Sequence, residues 1–374
     1  MDARNKNLNT LLDYSVQIND GFTQTSADGA CLAFDKKYGI MFCSYMPGLQ
    51  GHYGESRGKI ALSYFPASQP TNIRFAQIVE GNDVYGPMCV GLGDGKVRVI
   101  YEKDSRAEGD HRICYKDFNF LTGQLGEEKI VMLRRTDGTV VPLCQSEVFA
   151  YLDGMGLHDH EYCATEQWAN TGVFKDDAGM CYGCYTSLRA EPVLYRSEDQ
   201  MATVEFFAAY PRPAQYEFAY RFLNGTIYAV YRTPAQRSSI HYTTSADMGK
   251  NWTEAVALED SIPCRPAMLC HNGHILMGYN YYNPDTKYRP AIQQARTTLR
   301  FRCGEAADPN QNPLVAELYS KYGMVNMGIT EILGDVYLAY STSELALEYQ
   351  NGNPMVRGKD AIRYVKLGDL TPKD

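Results

Sequence analysis

No run in this chain approaches the roughly 18 consecutive apolar residues of a membrane-spanning helix, so no such helix is expected. The opening Met1-Asp2-Ala3-Arg4-Asn5-Lys6-Asn7 has no apolar segment of the secretory type, and the chain reads as cytoplasmic. Basic residues are outnumbered: 36 Lys and Arg face 44 Asp and Glu, a formal net charge of −8. That leaves no basic footprint for a nucleic acid. A disulfide framework is missing too. The 11 Cys are odd in number, and Cys31, Cys43, Cys89, Cys163 and Cys270 sit in apolar, strand-like runs. They read as small core hydrophobes in a reducing compartment. Cys181-Tyr182-Gly183-Cys184 has redox spacing, but on a strand i and i+3 face opposite ways, and no βαβ pattern surrounds it. Long helical periodicities are few, and no linker or low-complexity stretch divides the 374 residues.

Tyrosine, phenylalanine and glycine are plentiful, at 29, 14 and 32 residues, as expected of many short strands joined by tight turns. Carbohydrate-binding β folds tend to share this composition. One unit recurs at spacings of roughly 40–55 residues: a strand, a Gly-containing turn, then a second strand ending in Tyr. Clear copies turn at Gly93-Asp94-Gly95, Asn224-Gly225, Asn272-Gly273 and Gly334-Asp335, and looser ones at Lys37-Tyr38-Gly39 and Asp177-Ala178-Gly179. Asn-Gly and Gly-Asp are strong hairpin signals. Six copies predict an all-β, six-bladed β-propeller of four-stranded antiparallel blades, one domain over residues 1–374, closed by a terminal strand. The stretch 121–162 is longer than a blade connection needs, and reads as an insertion between blades two and three.

Ser245-Ala246-Asp247-Met248-Gly249-Lys250-Asn251-Trp252 follows an alternating strand and has a legible turn chemistry. Asp247 can bond turn backbone, Gly249 can supply a positive φ, and Trp252 can cover the loop. The pattern Ser-x-Asp-x-Gly-x-x-Trp resembles the Asp-box of the sialidase-like (neuraminidase, BNR-repeat) β-propellers. The resemblance implies that this turn joins third and fourth strands on the face opposite the substrate. Strands alternate in direction, so first-strand starts and second-strand loops would then open on the substrate face. Cys264-Arg265-Pro266 is similar to the Arg-Ile-Pro motif opening a sialidase first strand, without its Ile. In that family the arginine belongs to a trio clamping the substrate carboxylate, so Arg265 is implied as a clamp with Arg232 and Arg289 as companions. Only one well-formed Asp-box is present, and the family's nucleophilic Tyr with its Glu partner has no counterpart in an equivalent position.

The expected substrate face gathers charged and aromatic residues. Strand starts contribute Tyr85, Glu166, Gln167, Glu217, Arg265 and Asn326. Second-strand loops contribute His52, Tyr53, Glu55 and Arg57, then Glu102, Arg189, Glu191, Arg232, Tyr281, Tyr282 and Arg289. Glycoside hydrolysis needs an acid and a base or nucleophile flanking the sugar. Glu55, in a glycine-shaped loop between His52 and Arg57, is the first candidate, with Glu217 or a histidine of His158-Asp159-His160-Glu161 opposite. Tyr53, Tyr281 and Tyr282 are candidate sugar platforms, and Gln167 and Asp159 candidate contacts. No cofactor is expected. The reading is a carbohydrate-active hydrolase, exo-acting on a small or acidic glycan, whose oligomeric state is left open. The alternatives are a metal-assisted lyase or deacetylase, with a divalent ion on the His-Asp-His-Glu segment, and a non-catalytic glycan-binding propeller.

Overall fold

The computed structural model describes residues 15–18, 27–47, 59–81, 84–105, 110–157, 167–168, 172–186, 191–212, 217–232, 239–262, 264–281, 298–319, 323–343, 346–350, 353–357 and 360–373. Six sheets each place their first strand at one sheet edge. These first strands are Ala27–Asp35, Val84–Gly93, the pair Gln167–Trp168 and Phe174–Lys175, Phe218–Leu223, Ala267–His271 and Gly323–Ile332. Each packs against the first strand of both neighbours around a closed ring, which is the six-bladed propeller.

Local chemistry builds each blade. Two-residue turns join first to second strands at Asp94-Gly95, Asn224-Gly225, Asn272-Gly273 and Leu333-Gly334, with all eight φ values positive, from 47° to 82°. Positive φ at both positions is the type I′ requirement, which matches the twist of the strands it joins. In blade six the turn lies one residue earlier than Gly334-Asp335, because Ile332 pairs with Asp335. The left-handed first position falls on Leu333, a residue with no side-chain help for it.

Blades one, four, five and six have four strands each. Blade two adds Gln124–Leu125 beside its third strand, and blade three grows to seven strands. The extra strands of blade three come partly from Met132–Arg134, which pairs in parallel with Thr203–Ala209, and from Val140–Pro142. The helix α1, Gln145–Gly154, follows. The first strand of blade three is split, with Gly172 at φ 83° between its two pieces. Val16–Gln17 pairs with the last long strand, Asp360–Gly368, so the N-terminal segment supplies the outermost strand of blade six. Arg363 clamps it, Nε donating to Ser15 Oγ at 2.6 Å and Nη2 to the Ser15 carbonyl oxygen at 2.7 Å.

The core lies between blades. Cys184, Leu194 and Ala208 of blade three, for example, pack on Phe218, Tyr220 and Ile227 of blade four. Tyrosine serves here because its ring fills the wedge and its hydroxyl reaches a neighbouring backbone. The Tyr220 hydroxyl donates to the Gly183 carbonyl oxygen at 3.0 Å, and that of Tyr364 to the Ala67 carbonyl oxygen at 3.4 Å. Near the axis the strands close further. A Cβ on Gly328 would stand 2.7 Å from the Ala30 carbonyl oxygen, so blades six and one approach as only glycine allows. Eight of the ten described cysteines are buried, and all ten are free thiols.

Candidate functional site

The two ends of the propeller are told apart by their turns. The turns joining first and second strands touch one another around one end. Asp35 Oδ2 accepts from Gly95 N at 2.8 Å, Cys270 Sγ bonds the Phe222 carbonyl oxygen at 3.0 Å, and His271 meets Glu331 at 2.8 Å. The Ser245–Trp252 turn, between third and fourth strands, lies at this end too. Ser245 Oγ donates to Asp247 Oδ1 at 2.9 Å and accepts from Gly249 N at 2.8 Å, while Asn251 N donates to Asp247 Oδ1 at 2.9 Å. These bonds, the Asn251 backbone bond first, pull the Asp247 carboxyl down to about 2. Trp252 closes the loop edge-on against Tyr210, centroids 5.2 Å apart, with Nε1 donating to the Gly249 carbonyl oxygen at 3.0 Å.

Blade three repeats this turn without its sequence signature. Ser197 Oγ donates to Asp199 Oδ1 at 2.9 Å and accepts from Met201 N at 2.8 Å, and Thr203 N donates to Asp199 Oδ1 at 2.7 Å. Met201 stands in the glycine position at φ 72°, and Val204 in the tryptophan position. The spacing Ser-x-Asp at the end of a third strand was the available signal.

The opposite end carries first-strand starts and second-strand ends. The inner strands of blades one, two and six all bulge there, at Asp28/Cys31, Tyr85/Met88 and Val325/Gly328, a device that re-aims side chains at a rim. Glu217 and Arg232 meet at the corner of blade four. Arg232 N donates to the Glu217 carbonyl oxygen at 3.1 Å, and its Nη1 lies 3.4 Å from Glu217 Oε2. In blade two Glu102 and His111, essentially unexposed, approach to 3.6 Å. Tyr281 is half-buried, with the Arg300 guanidinium 3.3 Å from its ring centroid. Arg300 is itself held by Asp260 and Glu317. One face of that ring is therefore already used, which leaves at most the other for a sugar.

Arg265 precedes the first strand of blade five and is only 3% exposed. It lines a cavity of about 30 Å³ in the central channel, with Cys31, Val173, Arg221, Met268 and Met327 among the other walls. The Cys31 thiol is lowered, chiefly by hydrogen bonding with the Cys89 side chain and further by the Arg265 charge, while burial raises that of Cys89. Arg221 escaped sequence reasoning because it sits in a strand of Phe, Ala and Tyr. A cation within such a run was the signal.

Gln167 pairs through its backbone with Thr186. His52, Tyr53, Glu55, Arg57, His158, Asp159, His160, Tyr282 and Arg289 lie outside the described residues.

No family model and no curated protein sequence matches this chain. Solved structures do. A Trypanosoma rangeli sialidase mutant with trans-sialidase activity superposes with a TM-score of 0.59 at 13% identity, over 95% of this chain and 57% of that one. NanB sialidase of Streptococcus pneumoniae, as its K499G mutant, gives 0.55 at 11% identity, over 95% and 70%. A protein of unknown function from Dyadobacter fermentans gives 0.58 at 12% identity, over 94% and 98%. The chain thus spans 57% of the length of the trypanosomal enzyme. What is shared at these identities is the fold, a sialidase-like six-bladed propeller.

Proposed function

We propose that the chain is a carbohydrate-active glycoside hydrolase whose substrate mouth is the end opposite the Ser-x-Asp turns, exo-acting on a small or acidic glycan. The observation that carries this reading is Arg265, a buried guanidinium at the head of an inner strand, on a fold shared with sialidases. A guanidinium fork matches a carboxylate with two parallel N–H bonds, which suits an acidic sugar. One trypanosomal sialidase of this fold is solved in complex with sialic acid, at 12% identity.

Glu217 lies at the same end. Its Oε2 lies 3.4 Å from Arg232 Nη1, and its role in this reading is that of base or nucleophile. The proton donor then falls to Glu55 or to a histidine at 158 or 160. His52, Tyr53, Arg57, Asp159, Gln167, Tyr282 and Arg289 complete the proposed contacts.

A panel of umbelliferyl glycosides, including a sialoside and a glucuronide, tests the reading. Turnover of an acidic member is expected, with Arg265→Lys raising KM and Glu217→Gln lowering kcat at least about a hundredfold. Binding of acidic sugars without turnover of any member would move the protein to the non-catalytic class. Turnover unchanged in both variants would remove these residues from the site.

A further inference from the structure

Arg221 poses a problem that the proposed hydrolase site does not solve. It lies on the inner strand Phe218–Leu223, opposite Tyr228 and nearer the turn end than Arg265, and is 7% exposed. Its guanidinium carbon rests 4.2 Å from the Phe174 ring centroid, and Nη1 donates to the Tyr220 carbonyl oxygen at 2.6 Å. Nε has no hydrogen-bond partner among the described residues. After burial, the groups that act most strongly on its charge are the side chains of Cys270, Tyr220, Cys184 and Cys31. Burial lowers the guanidinium to about 10, so it remains a cation at neutral pH. A buried cation with a donor left unfilled is costly, and an anion offsets that cost.

The channel has the room. Arg221 and Arg265 line the same cavity of about 30 Å³. A water-sized group needs on the order of 10–15 Å³ on this measure, so two or three such groups fit. A tetrahedral oxyanion, with four oxygens to place, does not. Met268, Met327 and Ile329 give the lining an apolar share, which favours an ion that sheds water easily. Inner strands are sheet edges, with N–H groups that their own ladder does not use. Cys89 N, for instance, donates to Cys31 Sγ across blades at 3.4 Å.

We propose that the central channel is a halide site, with one small monovalent anion held between Arg221 and Arg265 as part of the propeller's hub. The site shares Arg265 with the proposed sugar mouth, extends from it to Arg221, and does not depend on glycoside hydrolysis.

Crystals of the native protein grown in sodium bromide, measured at the bromine absorption edge, test this directly. An anomalous peak beside the Arg221 guanidinium is expected, and its absence overturns the proposal. In solution, bromide titrated against gluconate at constant ionic strength should raise the unfolding midpoint saturably. The rise should reach about 3 °C at a hundredfold excess over Kd. Arg221→Met should abolish that rise, and an equal rise in the variant overturns the proposal. Should Arg221→Met not fold, the diffraction result on the native protein decides alone.

Discussion

Replacing Gly328 by alanine tests how the ring closes. The added Cβ would meet the Ala30 carbonyl oxygen at 2.7 Å and the Ala30 carbonyl carbon at 3.3 Å, both backbone atoms of the neighbouring inner strand. No rotamer relieves a contact between two backbones. Blades six and one must separate by roughly half an ångström, and overpacking of this kind costs about 1–3 kcal/mol. Unfolding entropy of about 2.1 cal/mol/K per residue, over 374 residues, gives about 0.8 kcal/mol/K. The midpoint should therefore fall by about 1–4 °C in calorimetry. Gly81→Ala is the matched control, since a Cβ there meets nothing within 4 Å and its φ is not positive. It should be neutral or stabilising by less than about 1 kcal/mol. Equal midpoints for the two variants would refute the close approach of blades six and one.

Three further outcomes are expected. Leu333→Asn should stabilise the protein by about 1 kcal/mol in urea, because Leu333 holds φ 53° while 89% exposed, and asparagine tolerates that conformation. An unchanged midpoint would mean the blade-six turn is not left-handed. Ser197→Ala and Ser245→Ala should each cost about 1–3 kcal/mol, since each buried hydroxyl accepts a turn N–H that would lose its partner. A cost at Ser245 alone would deny that the two turns are equivalent. Asp369 is drawn down to about 2, first by the Thr371 side chain and backbone N–H and then by His271. A depressed carboxyl stabilises above its unfolded value of about 3.9, and that contribution is lost as pH falls from about 4 towards 2. Asp369→Asn should flatten the acid limb of midpoint against pH in that window, and an identical limb would clear Asp369 of the role.

Much of the architecture is legible in the sequence because propeller blades are made of local signals. Asn224-Gly225 and Asn272-Gly273 specify their turns within two residues, and alternation specifies the flanking strands. The exceptions are instructive. Leu333 occupies a left-handed position that its type does not announce, since the ladder from Ile332 to Asp335 overrides local preference. The Ser197 turn keeps its hydrogen bonds after losing both glycine and tryptophan, so its motif is a pattern of bonds more than of letters. The seven strands of blade three include a parallel pairing of Met132–Arg134 that no turn signal reports.

Site chemistry is less legible still. Arg221 and Arg265 share a channel cavity while 44 residues apart in the chain, and alternation cannot say which edge of a sheet faces the axis. Tyr281 looked like an open platform on its own segment, and the residue covering it, Arg300, arrives from the next strand. The Ser-x-Asp turn contributed a direction to the reading and no chemistry. It marks the end of the propeller away from which Glu217, Arg232 and Arg265 lie.

The most direct test of that direction is a crystal structure of the protein with free sialic acid. The sugar carboxylate is expected within about 3 Å of the Arg265 guanidinium, at the end where Glu217 and Arg232 meet. A sugar seated at the end of the Ser197 and Ser245 turns, or a mouth that takes up none, would contradict the account.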